Sequence, residues 1–272
     1  MQLVGQEKIK EWISQLTLEN CPHFIILKGG RRSGRTLLTQ MIAEKLNCIK
    51  CEFDKSAEQV RQVISTIYNI KEPCIYWCED LDKMRPEASN SLLKVTEETP
   101  KYAYVVLHCV GTPLATLNSR AQVFELEPYS FENYKEYCEL NNIEIPENAE
   151  VLMSSCNSLT DFEYYIKTGK FKQAHELACK VLDYIGEVSK VNAFKILNSL
   201  AFKDTDEGIE PVFFLTILLN EYIKREGVVE FGGVIVKNTH TALSFLRNDT
   251  FSKQAIMYKW ILDIMKGIDE LC

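Results

Sequence analysis

Short apolar runs alternate with longer amphipathic stretches through the first half of the chain. Segments 24–28, 51–53, 74–78, 103–109 and 122–126 are mostly apolar and of strand length. Between them, 36–46, 57–68 and 86–98 carry apolar residues at helical spacing. Short apolar strands separated by helices imply a parallel sheet covered on both faces. The helix at 86–98 is the best marked. Pro86 suits its first turn, Ala88, Leu92 and Val95 share one face, and Pro100 follows its end.

After Pro128 the strand signal stops. Segments 130–141, 147–155 and 159–167 predict three short helices, and Gly169 then interrupts the pattern. Longer amphipathic helices are expected over 171–186, 188–201, 209–225, 232–246 and 251–270. In the last, Ala255, Tyr258, Ile261, Leu262, Ile264 and Met265 fall mostly on one side. The expected organisation is an α/β unit over 1–128, a small three-helix unit over 129–170 and an all-helical unit over 171–272. No internal repeat or low-complexity tract interrupts it.

Apolar residues make up 46% and charged residues 25% of the chain, ordinary for a globular protein. The net charge of −7 argues against gripping nucleic acid over the whole surface. Positive charge is local: Lys28, Arg31, Arg32 and Arg35 crowd one loop. That loop is either simply solvated or a site for phosphate or a partner. No apolar run reaches membrane-spanning length and the amino terminus is polar, so a cytoplasmic protein is expected, with no membrane contact. The ten cysteines read as small core hydrophobes, as at Cys74, Cys78 and Cys109. Cys48 and Cys51 form one isolated C-x-x-C, no second pair follows, and the four histidines are scattered. A structural zinc site needs about four ligands, so no metal site is expected.

The loop at 29–36 reads GGRRSGRT. It fits the phosphate-loop pattern G-x-x-x-x-G-K-[ST] at Gly29, Gly34 and Thr36, but Arg35 stands where lysine belongs. It lies between an apolar strand and an amphipathic helix, the context the motif needs. Backbone amides and a helix N-terminus there attract an anion. Lysine is a compact charge that fits between phosphates, whereas arginine is a bulky planar fork. The second signal is CIYWCEDLDKM, 74–84, an apolar strand running into Glu79 and Asp80. It has the form of a Walker B strand with the two acids in swapped order. Glu79 is a methylene too long to support magnesium, and Asp80 a methylene too short to polarise water. A misplacement of about 1 Å can cost on the order of a hundredfold in rate. Acids at a strand end also occur as helix-start residues, so this signal gains weight only beside the loop at 29–36.

Two further stretches, ASNSLLKVTEETP (88–100) and TPLATLNSRAQVFEL (112–126), carry a resemblance. With the opening VGQEKIKEWI, they resemble the bacterial clamp-loader subunits of the AAA+ superfamily, the delta-prime and tau/gamma subunits of DNA polymerase III. Ala88, Asn90, Leu92, Leu93, Lys94, Glu97, Glu98 and Pro100 are in register with the family's helix after Walker B. Ser119 and Arg120 match its Ser-Arg-Cys element, with Ala121 in place of the cysteine. The resemblance covers residues 4 to about 126 and extends by layout to a three-helix lid and a helical collar. It implies that Arg120 acts in trans on ATP held by a neighbouring subunit. Arginine fingers supply about 10³–10⁵ in rate.

The departures share a direction. His108, Cys109 and Val110 stand where the family's ATPases carry a polar sensor, and the stretch 157–165 lacks the lid's sensor arginine. The cysteine-rich zinc insertion of many relatives is missing. A cis site degraded at Arg35, Glu79 and Asp80, beside an intact Ser119–Arg120 element, resembles delta-prime more than tau/gamma. A stator is implied that needs no cofactor of its own, with ATP and magnesium binding left open. Its implied partners are the tau/gamma and delta subunits, the sliding clamp and, through the complex, primed DNA. The alternatives are an active tau/gamma-like ATPase in which Arg35 replaces lysine, and a module whose arginine loop grips nucleic acid directly.

Overall fold

The computed structural model describes residues 3–30, 32–98, 100–156, 158–186, 197, 209–225, 232–246 and 252–270. The chain divides into two compact units: Met1–Tyr137 with Asn157–Leu159, and Cys138–Cys156 with Thr160–Cys272.

The first unit is built on five parallel strands, β1 (Phe24–Lys28), β2 (Ile49–Glu52), β3 (Cys74–Cys78), β4 (Ala103–Cys109) and β5 (Gln122–Glu125), in the order β2-β3-β4-β1-β5. Its helices are α1 (Glu7–Ser14), α2 (Arg35–Leu46), α3 (Ala57–Ile67), α4 (Pro86–Glu97) and the short α5 (Ala115–Asn118). Alternate residues of the central strands enter two separate cores. Ile26, Tyr76, Val105 and Leu107 pack with Val60 and Ile67 of α3 and Leu92 and Val95 of α4. Ile25, Leu27, Ile75, Trp77 and Val106 pack with Ile9 and Ile13 of α1 and Leu38 and Ile42 of α2. Both faces being covered explains why β1, β3 and β4 are apolar apart from Lys28 and His108 near their carboxyl ends. Caps set the helix starts: the Ser56 hydroxyl accepts from the Gln59 amide at α3, and Pro86 opens α4.

Strand β2 begins earlier than its apolar content suggests. It is an edge strand, paired only with β3, and Ile49 is exposed. An edge strand needs no continuous apolar run, so its sequence signal is weak. Phe53, expected inside the strand, lies just past it and is buried. The four-residue α5 has too few turns to show a period and was not expected.

Helices are the regular structure of the second unit among its described residues. Helix α6 (Phe131–Asn141) runs across the division; α7 (Ala149–Ser155), α8 (Leu159–Lys167), α9 (Lys170–Gly186), α10 (Pro211–Lys224), α11 (Gly232–Leu246) and α12 (Lys253–Asp269) follow. Helix α10 is the most buried, with Phe213, Phe214, Leu215, Ile217 and Leu218 all inside. The buried stripe of α12 is Met257, Trp260, Ile261, Ile264, Met265 and Ile268. Ala255 and Leu262 of the expected face are exposed instead. Apolar residues flank the stripe on both sides, and only packing selects which edge goes in. The helix expected over 188–201 lies outside the described residues apart from Leu197. Among the described residues, no helix is long and apolar enough to cross a membrane.

Candidate functional site: a phosphate loop and an exposed arginine

The loop follows β1 at the carboxyl edge of the sheet, where open α/β sheets bind ligands. The Gly29 amide donates to the Cys109 carbonyl at 3.0 Å, carrying the ladder one step past the strand. A Cβ on Gly29 would meet Ser33 Oγ at 2.8 Å. Gly34 has φ +94°, and a Cβ there would lie 2.8 Å from Leu3 Cδ1. Both glycines are therefore required by the path of the loop, not only by the motif. Gly34 also occupies the N-cap of α2 without a capping side chain, leaving first-turn amides facing the loop.

The two acids of β3 separate. Thr36 Oγ1 donates to Glu79 Oε1 at 3.1 Å, so Glu79 reaches the threonine that would face magnesium. Asp80, in left-handed backbone at φ 57°, turns to lysines: its Oδ2 lies 2.8 Å from Lys83 Nζ and 3.7 Å from Lys55 Nζ. The acid that could polarise a water is thus engaged by two cations.

Arg35 does not point into solvent. It is 6% exposed, and its Nη1 is buried with no hydrogen-bond partner. His108, at the end of β4, is fully buried. Its Nε2 lies 2.8 Å from Thr39 Oγ1, which donates in turn to the Arg35 carbonyl at 3.1 Å. With the hydroxyl proton so used, Nε2 carries the ring hydrogen and Nδ1 is a bare acceptor. Burial, and then the positive charge of Arg35, push the His108 pKa down to about 3. The imidazole is therefore neutral, and its 3.9 Å approach to Glu79 is not an ion pair. Among the described residues, the buried side-chain polar atoms without a partner are Ser33 Oγ, Arg35 Nη1 and His108 Nδ1. All three belong to the loop or the strand end beside it. Unsatisfied buried groups are rare in folded proteins, and these three cluster at one place.

Arg120 occupies different ground. It follows α5 and precedes β5, whose Gln122 pairs with Ile25 near the start of β1. The strands are parallel, so Arg120 stands at the amino edge of the sheet and the phosphate loop at the carboxyl edge. The length of β1, roughly 16 Å at 3.3 Å per residue, lies between the two edges. The guanidinium donates to the Thr116 carbonyl at 3.1 Å and to Glu97 Oε1 at 3.3 Å, and its side chain is 40% exposed. Ser119 is also exposed and donates its hydroxyl to the Thr116 carbonyl at 3.1 Å.

Gly29, Gly34, Arg35, Thr36 and Glu79 thus come together, Asp80 is turned aside, and Ser119 and Arg120 lie on the opposite edge. Of the basic residues, Lys28 pairs with Glu125 at 2.5 Å, Arg35 is buried, and Arg31 lies outside the described residues. Cys48 and Cys51 do not pair with each other; Cys51 Sγ lies 3.5 Å from Cys74 Sγ. Thr39 and the pairing of Glu97 with Arg120 escaped the sequence reading. Thr39 sits on the buried face of α2 with no motif around it, while Glu97 lay inside a motif that suggested no partner.

Residues 57–130 match the family model for the DNA polymerase III, delta subunit. The DNA polymerase III subunit gamma/tau of Mycoplasma pneumoniae is 25% identical over 134 residues, covering 38% of this chain and 20% of that protein. The chain is similar to clamp-loader AAA+ subunits. It spans about a fifth of the length of that gamma/tau relative. A DNA polymerase III gamma subunit-related protein of Thermotoga maritima has the same fold, with TM-score 0.57 at 15% identity over 97% of this chain and 99% of that one. A substituted RuvB of Thermotoga maritima gives TM-score 0.51 at 18% identity, over 95% and 87%. The chain accordingly shares its fold with these two proteins over most of its length.

Proposed function

We propose that this chain is a delta-prime-like stator of a DNA polymerase III clamp loader, working in the cytoplasm. It completes the ATP site of an adjoining tau/gamma subunit with Arg120 and hydrolyses no ATP itself. Arg120 carries this reading: it is exposed at the sheet edge opposite its own phosphate loop, beyond the reach of any nucleotide held there. A guanidinium so situated could reach a nucleotide only in another molecule. The cis pocket agrees, with Arg35 buried in place of lysine and Asp80 engaged by Lys55 and Lys83. The unpartnered Arg35 Nη1 and Ser33 Oγ favour an anion in the loop, so nucleotide can be held there without turnover.

The tau/gamma and delta subunits pack with this chain, and the assembly loads the sliding clamp onto primed DNA. The test is Arg120→Ala in a loader reconstituted from this chain with its tau/gamma and delta subunits. Hydrolysis at the completed site, followed in a single turnover with primed DNA, falls by about 10³ or more. Unchanged DNA-stimulated ATPase overturns the trans role. One observation favours a second reading as an active ATPase: Thr36 and Glu79 remain paired where magnesium would bind. Phosphate release by the isolated chain at the rate of a tau/gamma subunit would decide for it. Direct nucleic-acid grip by the loop is not favoured, because Lys28 is neutralised and Arg35 is buried.

A further inference from the structure

The helical unit contains a cluster that the clamp-loader reading does not use. His175, Cys179 and Asp183 recur at helical spacing along one face of α9, and Glu221 and Arg225 do so on α10 and its C-cap. His175 Nε2 lies 2.8 Å from Glu221 Oε2, and Cys179 Sγ lies 3.9 Å from His175 Nε2. One ligand atom from each of His175, Cys179 and Glu221 falls within 4.8 Å of the other two. Arg225 donates to the second Glu221 oxygen at 2.8 Å and to Asp183 Oδ1 at 2.9 Å. We propose that His175, Cys179 and Glu221 form a three-donor site for a divalent transition metal, Zn²⁺ foremost, that ties α9 to α10.

The donor set selects the metal. Imidazole nitrogen, thiolate sulfur and carboxylate oxygen together suit Zn²⁺ and not the hard, all-oxygen cations. Tetrahedral bonds to such donors set ligand atoms about 3.4–3.6 Å apart. The His175–Glu221 contact would open slightly and the Cys179–His175 contact close slightly, both within side-chain adjustment. The fourth position is left to water. Arg225 does not compete for the metal, because it holds the oxygen that His175 does not, and Asp183 anchors its other branch. That arrangement orients the ligating carboxylate, as outer-shell partners of metal sites do.

Charge points the same way. The carboxylates of Glu221 and Asp183 and the Arg225 guanidinium sum to one negative charge. Loss of the Cys179 proton makes two, which a divalent cation cancels. The binding step forms a metal–sulfur bond, breaks the S–H bond and releases that proton to solvent. The ring hydrogen of His175 moves to Nδ1, freeing Nε2 for the metal.

The experiment is a Co²⁺ titration of the full chain, followed by displacement with Zn²⁺. One equivalent of Co²⁺ should give a thiolate charge-transfer band with the visible bands of four-coordinate cobalt, and Zn²⁺ should abolish both. Cys179→Ser should remove the charge-transfer band, and His175→Gln should weaken binding at least about a hundredfold. Arg225→Gln should weaken it about tenfold, as loss of an outer-shell partner does. A Cys48→Ser, Cys51→Ser double variant should keep the signal and serves as the folded control. No cobalt bands on a wild-type chain with native circular dichroism would overturn the site. So would a band that survives Cys179→Ser or vanishes with Cys48 and Cys51.

Discussion

The two edges of one sheet treat the same side chain in opposite ways. At the carboxyl edge Arg35 is folded under its own loop, with a guanidinium nitrogen left without a partner. At the amino edge Arg120 stays exposed, steadied among the described residues by Glu97 and a backbone carbonyl. A buried arginine beside a neutral His108 has little freedom to follow a changing phosphate. An exposed one, held by an ion pair worth at most about 1 kcal/mol, is easily released to a docking surface. Residue type alone cannot tell these roles apart; position relative to the ends of parallel strands can.

After Arg120→Ala, the largest effect is expected from Arg120→Lys in the reconstituted loader. Lysine keeps the charge but loses the planar fork. If the geometry of the fork matters, hydrolysis at the completed site falls by at least about a hundredfold of the 10³–10⁵ such a finger supplies. Full activity with lysine would reduce Arg120 to a point charge and remove the distinction from Arg35.

Much of the first unit was legible because its strands are buried on both faces, so β1, β3 and β4 are apolar runs bounded by the residues expected. Where burial is one-sided the signal weakens, as at β2 and in the choice of face on α12. The site was legible in part for the same kind of reason. Gly34 announces its backbone requirement through the motif, and the Ser119–Arg120 element announces itself through the flanking helix. Nothing in the order of residues shows that Arg35 turns inward, that Asp80 meets Lys55 and Lys83, or that Thr39 closes on His108. Those depend on contacts across the sheet. His175 and Cys179 share a helix face by simple spacing, but Glu221 joins them only through packing of α9 on α10.

The second effect belongs to the carboxyl edge and is a pH dependence. His108 is held neutral in the folded chain, with its pKa lowered to about 3. In the unfolded chain it takes a proton near pH 6.5. Between those values the unfolded state binds more protons, so stability is complete above about pH 6.5 and falls as pH falls. From pH 7.5 to 5 the loss is about 2 kcal/mol, read from urea midpoints. His108→Gln should flatten that stretch of the profile. An unchanged slope would mean that the imidazole is not held neutral beside Arg35.

Next comes the loop itself. Gly34→Ala forces a Cβ into left-handed backbone and against Leu3 Cδ1, and should cost about 1–2 kcal/mol in thermal or urea unfolding. Gly30→Ala is the matched control. Its Cβ would meet nothing within 4 Å, and stability should stay within about 0.5 kcal/mol of wild type. Equal effects at the two positions would show that the loop is not held in the conformation that buries Arg35.

The smallest effect tests what closes the cis pocket. Lys55→Ala with Lys83→Ala releases Asp80 from both of its lysines. The lysines are well exposed, so the stability change should be under about 1 kcal/mol. If capture of Asp80 alone silenced the pocket, the isolated double variant would begin to release phosphate from ATP. We expect no turnover, because Asp80 still has the short reach and Arg35 still occupies the lysine position. Measurable phosphate release would move the block from the loop to the end of β3. The contrast between the two edges would then rest on a pair of surface lysines rather than on the burial of one arginine.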